Sequence, residues 1–189
     1  TAFVTTAGFK DVLRIARQKR DFPYDLKAPH RAPPPVLDTD CFEVDERCSH
    51  QGEIVRHAAA DSLAGLLDEI PADCEAVAVA FLHAYANGAN EAAAAAILRQ
   101  RFDHISLSHE VSPEAREYER SITTVLNAAL LPLIRRIVTS LQRLPAASGR
   151  LRFFHSAGGL TSPALAVKYP LTLAMAGPAA GAQAASAVA

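Results

Sequence analysis

Two segments of this chain run from an apolar stretch into glycine, and glycine at such places permits chemistry. Leu151-Arg152-Phe153-Phe154 leads to Ser156-Ala157-Gly158-Gly159, and Leu171 to Ala176 leads to Gly177-Pro178-Ala179-Ala180-Gly181. Glycine lets a backbone approach a phosphate closely, and a helix N-terminus offers unpaired N–H groups with partial positive charge. Gly158, Gly159, Gly177 and Gly181 are therefore candidates for nucleotide-facing turns. The Gly177-x-x-x-Gly181 spacing matches neither the dinucleotide fingerprint nor a phosphate loop ending in Gly-Lys-Ser/Thr, and no lysine stands beside it. The same residues also read as plain tight turns.

A second signal lies between Glu114 and Asn127, a stretch dense in ionisable and hydroxyl groups. Arg116, Arg120, Thr123 or Thr124, and Asn127 fall three and four apart, the spacing of one helix face. That stripe could hold a carboxylate, a phosphate or a cyclic amide. It also reads as a solvated face laced with Glu–Arg pairs. Cys41, Cys48, His50 and His57 are close in sequence, but an extended strand would hold the two cysteines roughly 20 Å apart, so no metal site is expected. Cys74 opens an apolar strand and reads as a small apolar residue. His83, His104, His109 and His155 are scattered near strand ends with no motif joining them to a nucleophile. Of these, His83 and His155 stand at carboxyl ends, where α/β sheets place their ligands.

The elements that would position these residues alternate. Ala2 to Thr6 reads as a strand, and Phe9, Val12, Leu13 and Ala16 follow at helical spacing. From Asp21 to Pro35 five prolines make an irregular surface strap. Phe42 to Arg47 alternates with period two and, after His50-Gln51-Gly52, pairs with Glu53-Ile54-Val55 as a hairpin. Asp61–Ile70 is a helix, and Ala76–Leu82 is an apolar strand that should be central. Asn90 would cap a helix over 91–102 that leads to a strand at 104–108, a crossover unit with parallel strands. Ser112-Pro113-Glu114 would start a long helix reaching about Leu144, with a kink or break near Leu131 caused by Pro132. A last helix is expected from Ala179 to Ala189. The fold class is α/β.

Composition narrows the function. The 189 residues are 50% hydrophobic and 21% charged with a net charge of −1, which excludes disorder, collagen and coiled coil and offers no electrostatic case for nucleic acid. No apolar run approaches the roughly 18–20 residues of a bilayer span, and no leader opens the chain, so no membrane partner is expected. Three cysteines suit a reducing compartment, and a cytoplasmic protein is expected. The only methionine is Met175, and nothing closes the last helix, so an internal piece of a longer polypeptide is expected.

These residues also carry a family resemblance. Val4-Thr5-Thr6-Ala7-Gly8-Phe9-Lys10-Asp11-Val12-Leu13, Phe42 to Arg47 and the Ala76 to Tyr85 strand begin it. Ser108-His109-Glu110-Val111, Arg116 to Ala128, Ser156-Ala157-Gly158-Gly159-Leu160 and Ala176 to Gly181 continue it in order. Together they resemble an internal portion of the hydantoinase A/5-oxoprolinase family, ATP-dependent enzymes that open cyclic amides and whose relatives include acetone and acetophenone carboxylase subunits. Ala7, Ala157 and Ala176 stand where that family generally has glutamate, asparagine and serine.

The resemblance implies a partial actin-like ATPase, or ribonuclease H-like, architecture: a mixed sheet with flanking helices. Residues 1–110 would be the C-terminal part of the family's N-terminal region, and residues 111–189 the start of its core domain. The family's phosphate motifs would lie outside the chain, so ATP and Mg²⁺ serve the parent protein and no cofactor is expected in this piece. The parent would phosphorylate a lactam or imide carbonyl and complete ring opening with a hydantoinase B-type subunit or domain. Arg116, Arg120 and Asn127 would face that substrate or brace their helix. Two alternatives stand beside this reading: a ketone carboxylase subunit, and a non-catalytic structural or docking module. A homo-oligomer is compatible with all three.

Overall fold

Short runs of small and β-branched residues without a polar break can be buried on both faces, and such runs build the centre of this protein. The computed structural model describes residues 1–19, 24, 27, 33–144 and 151–188. They form two compact units, Thr1–Ala128 and Ala129–Ala189.

In the first unit, β1 (Ala2–Thr6) is buried at every position and lies between β2 (Cys41–Val44) and β5 (Val77–Ala80). With β6 (Ile105–Leu107) they make a four-stranded sheet in the order β2-β1-β5-β6, parallel throughout. Val4 is level with Phe42 on one side and Val79 on the other. The pleat sends alternate residues to opposite faces. Ala2, Val4, Val77 and Val79 pack with Leu63 and Leu66 of α2 (Ala60–Glu69) and with Ala94, Ala95 and Leu98 of α3 (Ala89–Leu98). Phe3, Ala78 and Ala80 face the other way, against Leu13 of α1 (Val12–Ile15) and Val125 and Ala128 of α5 (Glu117–Gln142). Alanine on that face lets the long helix come close, and the result is an α/β layer architecture, as the alternation predicts.

Several expectations need correction. The sheet is not mixed: the antiparallel pairs are separate two-stranded ribbons. Phe42 to Arg47 is two elements, because β2 stops at Val44 and β3 (Arg47–Cys48) pairs with β4 (Ile54–Arg56). The strand breaks where Glu46 turns inward to bury its carboxylate. Asn90 does not cap α3. Gly88 occupies that position, Asn87 Oδ1 accepts from Ala89 N–H at 3.0 Å, and Asn90 is buried inside the helix. The long helix begins at Glu117, not at Ser112-Pro113-Glu114, because Arg116 has a left-handed φ of 85°. A single turn, α4 (Ser108–Val111), precedes it. Of the kink or break expected near Leu131, the break does not occur: α5 runs through Pro132, with Leu131 buried beside it. The first helix shrinks to one turn, ended at Ala16 by a φ of 49°. The strap expected from Asp21 to Pro35 lies largely outside the described residues.

By length and apolar content α5 could cross a membrane. Its Arg120, Ser121, Thr124 and Asn127 are nevertheless buried within the protein, the pattern of a core helix.

The second unit holds the remainder of α5, a hairpin of β7 (Phe153–Phe154) and β8 (Leu160–Thr161), α6 (Pro163–Lys168) and α7 (Ala176–Val188). Ser162 caps α6, accepting from Leu165 N–H at 3.3 Å, with Pro163 at the first helical position. The strand expected over Leu171–Ala176 is instead a turn of 3-10 helix at Pro170–Leu173, followed by α7. Pro170 starts that turn with its φ preset, and Met175 turns the chain at φ 60°.

Candidate functional site

Three parallel strands deliver polar residues to one end of the sheet. Thr6 ends β1, Phe81 leaves β5, and Ser108 follows β6. Thr6 Oγ1 accepts from Leu82 N–H at 2.8 Å and donates to Glu46 Oε1. Glu46 Oε2 in turn accepts from Asn90 Nδ2 at 2.6 Å, so Asn90 ties the β2–β3 turn to α3. Burial pushes the Glu46 carboxyl above its ordinary range, against the lowering effect of the Thr6 and Asn90 hydrogen bonds.

Glu91, fully buried near the start of α3, is the hub. It accepts from Phe81 N–H at 2.9 Å, from His109 N–H at 3.0 Å, from the Ser108 hydroxyl, and from His109 Nδ1 at 2.6 Å. Arg120, also fully buried, donates from Nη2 to the Phe81 carbonyl at 2.7 Å and to Glu117, and from Nη1 to Ser108 Oγ. Its guanidinium lies 3.7 Å from Glu91. One cation thus sits between two carboxylates, and every donor except Arg120 Nε has a partner. These hydrogen bonds offset much of the desolvation cost of the buried ion pair, with Nε the one donor left out.

Outside this buried layer the end of β5 opens. His83 has a left-handed φ of 56°, and its backbone N–H donates to Glu117 Oε1 at 3.3 Å. Its Nδ1 is 3.3 Å from the Tyr85 hydroxyl, and its ring meets those of Tyr85 and the exposed His50 edge-on, with centroids 5.8 and 6.5 Å away. The Arg120 guanidinium lies 5.8 Å from the centre of the Tyr85 ring. His50 is brought here by a close approach: Asn87 Nδ2 donates to the Gly52 carbonyl at 2.9 Å, and a Cβ on Gly52 would stand 3.2 Å from the Ala86 oxygen.

The polar stripe of α5 is divided by this arrangement. Arg120 and Asn127 lie inside, Asn127 Nδ2 donating to Ser106 Oγ at 3.0 Å, and Thr124 Oγ1 bonds the Arg120 carbonyl at 2.7 Å. Arg116 precedes the helix and is exposed, while Thr123 lines a groove with Arg14, Arg17, Pro35 and Tyr118. Gly158 and Gly159 form the β7–β8 turn with φ of 92° and 82°. Gly177 and Gly181 lie within α7 rather than at a strand end. The two glycine segments are nonetheless neighbours, since a Cβ on Gly158 would stand 3.4 Å from Gln183 Nε2 of α7. The β7–β8 turn keeps two donors for itself, Ala157 N–H to His155 Nδ1 at 3.0 Å and Gly158 N–H to the His155 carbonyl at 2.8 Å. Among the described residues no group of three or more His, Cys, Asp or Glu side chains gathers to hold a metal ion.

The Glu46, Glu91, Ser108 and Tyr85 contributions were not singled out from sequence. Glu91 left a trace: a carboxylate opening the run Ala92–Ala96 on a helix that must be buried.

Residues 1–102 match the family model for the hydantoinase/oxoprolinase N-terminal region, and residues 120–189 match that for hydantoinase/oxoprolinase. The chain belongs to the hydantoinase/oxoprolinase family. An uncharacterized protein of Methanocaldococcus jannaschii is 35% identical over 96% of this chain and 27% of its own length. The 5-oxoprolinase of Saccharomyces cerevisiae is 30% identical over 84% of this chain and 14% of its own length. The crystal structure of the ATP-dependent caprolactamase from Pseudomonas jessenii superposes with a TM-score of 0.70 at 28% identity, over 86% of this chain and 24% of that one. This hydantoinase/oxoprolinase chain thus spans between a seventh and just over a quarter of those relatives.

Proposed function

We propose that the protein containing this chain is an ATP-dependent amidohydrolase that phosphorylates the carbonyl oxygen of a lactam or imide and so prepares the ring carbon for water. The observation that supports it most is the likeness, in both sequence and fold, to an ATP-dependent caprolactamase. The sheet would be part of an actin-like ATPase, with Mg²⁺ accompanying ATP and ring opening completed alongside a hydantoinase B-type subunit or domain.

Within that reading the residues divide by their contacts. Arg120 and Asn127 brace α5 against the carboxyl ends of β5 and β6, and the exposed Arg116 faces substrate. For the nucleotide, Gly158 and Gly159 supply a left-handed turn that approaches Gln183 of α7, the helix that carries Gly177 and Gly181. Because two of that turn's N–H groups are already bonded to His155, it is not a complete phosphate cradle, and residues 1–189 alone should neither hold nor cleave ATP.

The test is calorimetry of Mg·ATP binding to residues 1–189 and to the whole protein, with product assays on 5-oxoproline, caprolactam and hydantoin. ATP-dependent opening of one of these rings by the whole protein is expected. Turnover that instead requires a ketone plus bicarbonate would replace this reading with a carboxylase, and ATP binding by residues 1–189 would make the glycine turns a site in their own right.

A further inference from the structure

We propose that His83 carries the proton in ring opening, at a site completed by Tyr85, His50 and Glu117. The inference rests on the amidohydrolase reading above, and it names a group that the family likeness does not assign.

The first support is backbone geometry. His83 is held left-handed at the carboxyl end of the central strand β5, an uncommon conformation that must be maintained by its surroundings. Contacts on either side do so. Leu82 N–H is fixed by Thr6 Oγ1, Phe81 O by Arg120, His83 N–H by Glu117, and the His83 carbonyl accepts from Ala86 N–H at 2.9 Å. A histidine serving only as filler would not need to be restrained from β1 and α5 together.

The second support is the environment of the ring. Nδ1 faces the Tyr85 hydroxyl at 3.3 Å and Glu117 Oε1 at 4.0 Å, while the side chain keeps 29% of its surface exposed. Among the described residues Nε2 makes no hydrogen bond, which leaves it the nitrogen available to a reactant. The groups facing His83 are His50 from the β3–β4 turn, Tyr85 from its own loop, and Glu117 from α5, whose charge is tied to Arg120. A phenol on Nδ1, with a carboxylate 4.0 Å away that holds the His83 backbone N–H, orients the imidazole for exchange at Nε2, and histidine is the side chain whose ordinary charge change lies nearest neutral pH.

The balance is that of hydrolysis. The oxygen of one water bonds to the ring carbonyl carbon as its proton passes to Nε2. The carbon–nitrogen bond then breaks, its electron pair goes to nitrogen, and the same proton passes from Nε2 to that nitrogen. The phosphoryl group stays on the former carbonyl oxygen as an acyl phosphate, and a second water cleaves it to carboxylate and inorganic phosphate. His83 ends the cycle unchanged.

The experiment uses the full-length protein with whichever cyclic amide it opens, following ring opening and ATP cleavage separately across pH. His83→Gln should lower kcat for ring opening by roughly 100- to 1,000-fold with KM within about threefold, and should flatten the pH profile of kcat. Tyr85→Phe should shift that profile with a smaller loss. Wild-type kcat and pH dependence in His83→Gln would overturn the proposal. His83→Asn, which tolerates the left-handed backbone better, is made in parallel against misfolding. The imidazole resonances of His83 are also titrated by NMR in the wild-type protein and in Glu117→Gln. A changed titration supports the site and an unchanged one overturns it, even if no cyclic amide is a substrate. In that case it is the amidohydrolase reading that fails, shown by absent turnover in the wild-type protein.

Discussion

Arg120 Nη2 lies 2.7 Å from the carbonyl oxygen of Phe81, so a residue of α5 closes the end of β5. The same guanidinium bridges Glu91 and Glu117. Removing it would leave a fully buried carboxylate without its cation and a strand-end carbonyl without its donor. We expect Arg120→Met to cost ~3–5 kcal/mol, read from urea unfolding. The Arg120→Met/Glu91→Gln pair should lose less than the sum of the single changes, by at least ~1 kcal/mol. Strict additivity would show that the two residues do not share a network.

Gly88 should tolerate no side chain. A Cβ there would meet the His109 ring at 2.4 Å, and that ring is held by its 2.6 Å contact with Glu91. The backbone is not the obstacle, since φ is −83°. Gly88→Ala should therefore lower stability by ~1–3 kcal/mol through overpacking, and His109→Ala in the same chain should recover part of the loss. Thermal unfolding of the three variants decides it: an unperturbed Gly88→Ala protein would contradict the close contact.

The Glu46 carboxyl sets a pH dependence of unusual sign. Its burial raises the native value above the ordinary 4.5, so between the two values the folded chain binds more protons than the unfolded one. Stability from this group is fully present below 4.5 and falls as pH rises through the raised native value. Urea midpoints measured from about pH 4 to 8 should decline more steeply in the wild-type protein than in Glu46→Gln. Equal slopes would mean that Glu46 does not hold its proton in the native state.

Cys41 should be slow toward thiol reagents although it is only half-buried. Burial first, and then the charges of Asp38, Asp40 and Asp11, push its thiol up to about 11, while burial and Glu46 raise Cys48. The thiolate is the reactive form, so iodoacetamide at pH 8 should modify Cys41 on the order of 100-fold more slowly than free cysteine. Peptide mapping over time gives the rate, and labelling at the free-cysteine rate would refute the raised value.

What could be read without coordinates was whatever depends on local pattern. Val77–Ala80 had to be a central strand because it has no polar residue, and Leu63 and Leu66 had to share a buried helix face because of their spacing. Two left-handed residues were not legible. Arg116 delays α5 past a strong start signal, and Met175 redirects the segment expected to be a strand, because cap and strand propensities amount to about 1 kcal/mol and packing exceeds them.

The α/β alternation, the family resemblance and the polar stripe on the long helix are all written in local runs of residues. Which way that stripe faces is set by packing. Charged residues three and four apart look the same on an exposed face and on a buried one. Only the arrival of Phe81, Glu91 and Ser108 from other elements makes Arg120 an internal brace, and contacts from both β1 and α5 hold His83 in place at the open end of β5. The partners that compensate a buried charge are distant in the chain, so its burial is a property of the fold rather than of any local run of residues.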